Sequence, residues 1–287
     1  MERGPSFAVI GGSGLYEITD FRSRQSFYDE TPFGMPSAPV SVGEIGDIQV
    51  AFLARHGEGH RFSPSEVNYR ANIYALKSLG IDRVIGVSAC GSLNEEIAPG
   101  DIVIPDQLFD FTKRRDRSFF DQRIAVHVSV DEPFCPDLSQ KLYESAKKTG
   151  VRVHEGGHLI TIEGPRFSTK VESQTFRSWK MDIINMTTSP EAFLAREAEI
   201  CYSVMALVTD DDVRSDKESV SADTIAKVMS QNTSIALESI LNLSQQLAGE
   251  RRCECTKALE NAILTAPDAI DHDVRKKLSI FLDKYLQ

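Results

Sequence analysis

Short runs rich in valine and isoleucine alternate along the chain with stretches of helical apolar spacing, and this rhythm restricts the fold more than any other feature. Residues 7–10, 48–53, 84–87, 102–104, 158–162, 183–184 and 200–208 read as strands, while 67–79, 138–148, 169–179 and 191–198 carry helical spacing with Gly or charged ends. Strands that are apolar on both faces need cover on both faces, and the intervening helices supply it. A longer helical pattern over about 221–247 closes the main domain. Pro267 to Asp273 then separates two short amphipathic segments, the last with a stripe of Ile280, Phe281 and Tyr285. The expected fold is α/β: a single domain over residues 1–250 with a central mixed sheet flanked by helices, and a C-terminal helical extension over 251–287 packed on it.

At 287 residues the chain has ample length for such a core. The formal net charge of -10, from 42 acidic and 32 basic residues, argues against nucleic-acid or anionic-membrane binding driven by overall charge. It leaves room for a local cationic pocket. No run of about 18 apolar residues occurs, so no membrane span is expected. The first residues lack a signal-peptide core. The five cysteines are dispersed, and an odd count does not suit a secreted disulfide framework. A cytoplasmic protein is expected.

Small polar residues gather where strands should end. Gly11-Gly12-Ser13-Gly14 follows the first strand, and glycines there let backbone N–H groups approach an anion while Ser13 adds a hydroxyl. A plain tight turn fits the same tetrad. It lacks the full spacing of a dinucleotide site, and no Gly-Lys-Ser/Thr follows for a P-loop. Arg55-His56-Gly57 follows the strand ending at 53, where an arginine can fork onto a phosphate with histidine as a further donor. Ser88-Ala89-Cys90-Gly91-Ser92 and Thr187-Thr188 close two more strands. Hydroxyls at several strand ends with one Arg-His pair suit a single small oxyanion such as orthophosphate.

Thr209-Asp210-Asp211-Asp212 ends the last strand-like run. The period of two puts Asp210 and Asp212 on one side and Asp211 on the other. Two close carboxylates in a partly desolvated cleft resist double ionisation, so one can hold a proton near neutrality. Such a pair could donate to a purine ring nitrogen and accept from an exocyclic amine. A solvated acidic turn or a cation site fits the same residues.

Several segments together resemble one family. They are Ala8-Val9-Ile10-Gly11-Gly12-Ser13-Gly14-Leu15, Thr31-Pro32-Phe33-Gly34, Ala54-Arg55-His56-Gly57 and Ala89-Cys90-Gly91-Ser92-Leu93. Glu132-Pro133-Phe134-Cys135-Pro136, Ile162-Glu163-Gly164-Pro165-Arg166-Phe167, Asn185-Met186-Thr187-Thr188 and Thr209-Asp210-Asp211-Asp212 complete the series. In order and in register from about 7 to about 247, they resemble the methylthioadenosine phosphorylases, within the trimer-forming branch of the purine nucleoside phosphorylases.

The resemblance implies that Ser13, Arg55, His56, Ser88, Ala89 (by its backbone) and Thr187 bind phosphate. Ser13 and Ser88 stand where relatives often carry threonine, a change that keeps the hydroxyl. Met186 would contact the ribose, Phe167 would pack on the base, and His127 would line the 5'-substituent pocket of a neighbouring subunit. Asp210 and Asp212 would read the base and act in catalysis, with Asp210 protonating N7. Aspartate at both positions, where 6-oxopurine enzymes usually place asparagine, implies a 6-aminopurine. The implied reaction is phosphorolysis of methylthioadenosine, with phosphate as co-substrate, no metal or organic cofactor, and a homotrimer or a dimer of trimers. No His, Cys or carboxylate cluster with zinc spacing stands in the sequence. Cys253-Glu254-Cys255 is left over; a small-ring disulfide, a redox pair and two free thiols all fit it.

Overall fold

The computed structural model describes residues 7–11, 22–45, 48–121, 123–211, 222–247, 249 and 251–286. Its strands are β1 (Phe7–Gly11), β2 (Arg22–Phe27), β3 (Val40–Ile45), β4 (Ile48–Ala54), β5 (Arg83–Ser92) and β6 (Ile102–Ile104). β7 (Gln107–Phe111), β8 (Val153–Glu155), β9 (His158–Ile162), β10 (Ile183–Asn185) and β11 (Cys201–Asp211) complete the sheet. The helices are α1 (Tyr69–Ser78), α2 (Pro136–Lys147), α3 (Lys170–Ser178), α4 (Thr188–Glu197), α5 (Ala222–Ser244), α6 (His272–Lys277) and α7 (Ser279–Leu282).

The sheet is mixed, in the order β2-β3-β4-β1-β5-β10-β9-β7, with β11 pairing to both β5 and β6 and β8 pairing to β6. β1 lies parallel to β4 and β5, and β11 runs parallel to β5 along almost its whole length. Side chains alternate between two cores as the period of two requires. Ala8 and Ile10 of β1 face α1, α4 and the C-terminal segment. Phe7 and Val9 face α2 and α5. Leu259, Ile270, Leu278, Phe281 and Leu282 join the first of these cores, so residues after 251 share the apolar interior of the sheet.

Local signals set several boundaries. Asn68 caps α1 by accepting from the Ala71 N–H at 3.1 Å. Thr169 and Glu172 form a reciprocal capping box on α3. α2 starts two residues before the expected position because Pro136 takes the first helical turn, where its missing N–H costs nothing. The sequence reading passed over β2, β3, β7 and β8. β2 and β7 end the strand path and carry mixed polar sequence, and β8 is three residues long. Edge and short strands carry little of the apolar signal on which the reading relied.

Folding also gathers Cys135, Cys201, Cys253 and Cys255, whose sulfurs all lie within 4.8 Å of one another. Spacing along the sequence gave no zinc-type cluster because these residues come from three separate elements.

Candidate active site

A cleft opens where the C-terminal ends of β4, β5, β10 and β11 meet. β4 delivers Arg55 and His56, β5 delivers Ser88, Ala89 and Gly91, β10 leads into Met186 and Thr187, and β11 delivers Thr209 and Asp210. Phe167 reaches it from the loop after β9. Ser13 and Asp212 lie outside the described residues. Binding at the carboxyl ends of strands is where an open α/β sheet leaves a crevice. His60, Pro64, Ser168 and Asn185 also line the cleft, and the sequence reading did not single them out.

Arg55 differs from its expected role. Its Nε donates to Glu191 Oε2 at 2.7 Å and its Nη2 to Glu191 Oε1 at 2.8 Å. Nη1 donates to the Val87 carbonyl at 3.0 Å and Nη2 to the Ile10 carbonyl at 3.1 Å. Four of its five N–H groups are thus committed among the described residues, and one on Nη1 is left. The fork that was expected on an anion grips Glu191 instead, which leaves a single-point contact and a buried positive charge facing the cleft. Burial opposes that charge, but the Glu191 carboxylate more than offsets it and holds the guanidinium pKa above its ordinary value. Tyr202 donates to the same carboxylate at 2.7 Å, and Gly86 beneath it leaves space that a Cβ would take from the Tyr202 ring.

His56 also departs from the expected donor role. Its Nδ1 lies 2.8 Å from the Phe62 carbonyl, which can only accept, so Nδ1 carries the proton. Burial and the Arg55 charge push its pKa down to about 4. Near neutrality Nε2 is therefore an acceptor, suited to a P–OH or a sugar hydroxyl. His60 stacks on it with ring centroids 4.2 Å apart. The sequence signal was present as a second histidine four positions on, beyond two glycines.

The hydroxyls at the end of β5 and after β10 form one cluster. Ser88 Oγ and Thr187 Oγ1 are 3.1 Å apart, and Asn185 Nδ2 donates to Ser88 Oγ at 3.2 Å and to Thr188 Oγ1 at 2.6 Å. Asn185 Oδ1 accepts from Thr161 at 3.0 Å. Asn185 thus fixes the orientation of a buried hydroxyl set beside the Arg55 charge, an arrangement that offers donors to one small anion.

Three residues along β5 from Ser88, the cleft is lined by Asp210, which pairs with Gly91. The register of β11 against β5 shifts between Val208 and Asp210, so the strict alternation expected along this strand is broken there. Asp210 pairs with Gly91, and a Cβ at Gly91 would stand 2.9 Å from Asp210 Oδ2. Glycine is therefore what lets the carboxylate lie over β5. Thr209 Oγ1 donates to Asp210 Oδ1 at 2.7 Å. Burial and the Asp210 charge push the Cys90 thiol well up, which keeps it protonated. Met186 is admitted by Gly164: at φ +67 this residue is left-handed, and a Cβ there would approach the Met186 sulfur to 2.6 Å.

Phe167 is 43% exposed at the mouth of the cleft. His127 is exposed outside it, and its N–H donates to the Ala262 carbonyl at 2.8 Å. The structure thus brings Arg55, His56, Ser88, Ala89, Phe167, Met186, Thr187 and Asp210 to one cleft and leaves His127 apart from it.

An α/β sheet whose strand-end cleft is lined by a buried hydroxyl cluster, an arginine and a carboxylate is the arrangement of a small-molecule site. Comparison with known proteins narrows it. A family profile described as the phosphorylase superfamily matches residues 6–242. An S-methyl-5'-thioadenosine phosphorylase of Geobacter sulfurreducens is 46% identical over 280 residues, covering 97% of this chain and 98% of that protein. One of Hyperthermus butylicus is 49% identical over 261 residues, covering 90% and 95%. The crystal structure of a methylthioadenosine phosphorylase sourced from an antarctic soil metagenomic library superposes with a TM-score of 0.92 at 42% identity, over 97% of this chain and 99% of that one. A methylthioadenosine phosphorylase from Schistosoma mansoni in complex with adenine gives a TM-score of 0.83 at 33% identity, over 90% and 98%. The chain belongs to the phosphorylase superfamily, and within it to the family of the S-methyl-5'-thioadenosine phosphorylases.

Proposed function

We propose that the cleft catalyses phosphorolysis of S-methyl-5'-thioadenosine, giving adenine and 5-methylthioribose 1-phosphate. The observation that carries this reading is the polarity of the cleft. Along the stretch of β5 that lines the cleft, Ser88 meets the Thr187 hydroxyl at one end, with Arg55 also in the lining, and Asp210 pairs with Gly91 at the other. An anion at the first end and a base at the second place the anomeric carbon between them.

In this reading phosphate attacks C1' as the C1'–N9 bond breaks, and positive charge on the sugar is met by phosphate below the ring. Ser13, Arg55, Ser88, the Ala89 backbone and Thr187 hold the phosphate, and His56 accepts from its P–OH through Nε2. Met186 borders the ribose and Phe167 the base. Asp210 delivers a proton to N7, so the purine leaves neutral, and Asp212 accepts from N6–H₂. An ionised carboxylate facing O6 would meet an acceptor, which disfavours 6-oxopurines.

Phosphate is a co-substrate in this scheme, and no step calls for a metal or organic cofactor. His127, exposed and away from its own cleft, suits a role in the cleft of a second copy, within a homotrimer or a dimer of trimers. Among the described residues no helix is long and apolar enough to cross a membrane. The acidic charge and free thiols suit a cytoplasmic setting, and the core places of Leu259, Leu278, Phe281 and Leu282 suit a domain to about residue 250 with the rest packed on it.

A substrate panel with and without phosphate tests the reading. Methylthioadenosine should yield methylthioribose 1-phosphate only when phosphate is supplied. Free methylthioribose formed without phosphate would make the protein a hydrolase, and preference for inosine would overturn the base assignment.

A further inference from the structure

Away from the cleft, at the start of β11, lies a buried set of side chains that this chemistry does not use. Cys201 opens β11, and Cys135 caps α2, its N–H bonded to the Tyr202 carbonyl at 2.8 Å. Cys253 and Cys255 arrive from the C-terminal segment on a short 3-10 turn. All are free thiols, and all but Cys253 are buried.

We propose that Cys135, Cys201, Cys253 and Cys255 form a structural zinc site that staples the C-terminal segment to the sheet. Their sulfurs all lie within 4.8 Å, and Cys201 and Cys253 are 3.2 Å apart. Zn–S bonds of ~2.3 Å in a tetrahedron give sulfur–sulfur edges of ~3.8 Å, within that spread. Four thiolates are a soft set that selects zinc over magnesium or calcium. The four thiols release four protons to solvent, each sulfur gives one electron pair to Zn²⁺, and no electron is transferred. The product carries two negative charges.

The surroundings answer that charge. Arg196 Nη1 donates to Cys255 Sγ at 3.3 Å, and Arg251 Nη1 donates to Cys201 Sγ at 3.9 Å. Two guanidiniums on the sulfurs balance the dianion from outside the ligand set. The N-terminus of α2, a helix of 12 residues, adds a favourable field at Cys135. In sequence terms the leftover Cys253-Glu254-Cys255 supplies half of a ligand set whose other half lies more than fifty residues upstream.

The test is the metal content of the full-length protein, purified under reducing conditions without chelator, with thiols counted after denaturation. About one zinc ion per chain is expected. Cys253→Ser should reduce zinc to background, and cobalt exchanged into the wild type should give the intense visible absorption of a tetrahedral thiolate site. Five titratable thiols, Cys90 among them, without metal would overturn the proposal. So would a mass four hydrogens light, which would show two disulfides in place of the metal, or full zinc retention in Cys253→Ser. If that variant does not fold, the wild-type zinc content and cobalt spectrum still decide.

Discussion

Arg55 and Glu191 face each other through two parallel hydrogen bonds of 2.7 and 2.8 Å, at relative exposures of 1% and 0%. The pair joins β4 to α4 beneath the cleft. It orients a guanidinium that lines the cleft, and the Val87 and Ile10 carbonyls complete its cage. Neither partner has water to fall back on.

Glu191→Leu should therefore leave a buried, uncompensated guanidinium and cost about 3–5 kcal/mol of stability. The double variant Arg55→Leu/Glu191→Leu removes both charges and should be less destabilised than either single variant. Urea unfolding of the four proteins gives the coupling directly. Additive losses would mean the two charges do not depend on each other.

Thr187→Val keeps shape and removes one hydroxyl from the cluster at Ser88. Loss of one hydrogen bond to a charged ligand predicts about a ten- to hundred-fold weaker phosphate dependence. Initial rates against phosphate at saturating methylthioadenosine measure it. A phosphate KM equal to the wild type would remove Thr187 from the anion site.

Asp210→Asn replaces the acid over Gly91 with an amide of the same size. Activity on adenine nucleosides should fall by about a hundred- to a thousand-fold, as for one strong transition-state hydrogen bond of about 3–4 kcal/mol. The ratio of kcat/KM for adenosine and inosine should shift towards inosine, further still with Asp212→Asn added. An unmoved ratio would show that these aspartates do not read the base.

His56 predicts a pH dependence of stability. In the fold its pKa is about 4 against an ordinary 6.5, so between these values the unfolded chain binds the proton more readily. Its contribution is complete above pH 6.5 and is lost as the pH falls towards 4, with a slope of at most about 1.4 kcal/mol per pH unit. His56→Asn keeps a donor for the Phe62 carbonyl and removes the titration. Glu197, which burial pushes up to about 7, slopes the other way, but it is common to both proteins and cancels in their difference. The stability of wild type minus variant should thus rise from pH 4 to 6.5 and then level; a flat difference would place His56 in an unburied setting.

The apolar runs 7–10, 48–53 and 200–208 gave the central strands because continuous burial on two faces writes itself into composition. The strand-end positions of Arg55 and Asp210 followed from the last two of these runs, and those of Ser88 and Thr187 from the runs 84–87 and 183–184, since an open α/β sheet leaves its crevice at the carboxyl ends of its strands. Ordered motifs added the family. The sequence alone thus determined the α/β class, the central strands and the residue types of the cleft. Tertiary structure decided what those residues do with their hydrogen bonds. Glu191 takes the fork of Arg55 from 136 positions away, Phe62 fixes the tautomer of His56, Asn185 orients Ser88, and three distant elements bring four sulfurs together. Periodicity records which face of an element is buried, whereas the partner of a buried polar group is set by how elements cross in space, and no local pattern carries that information.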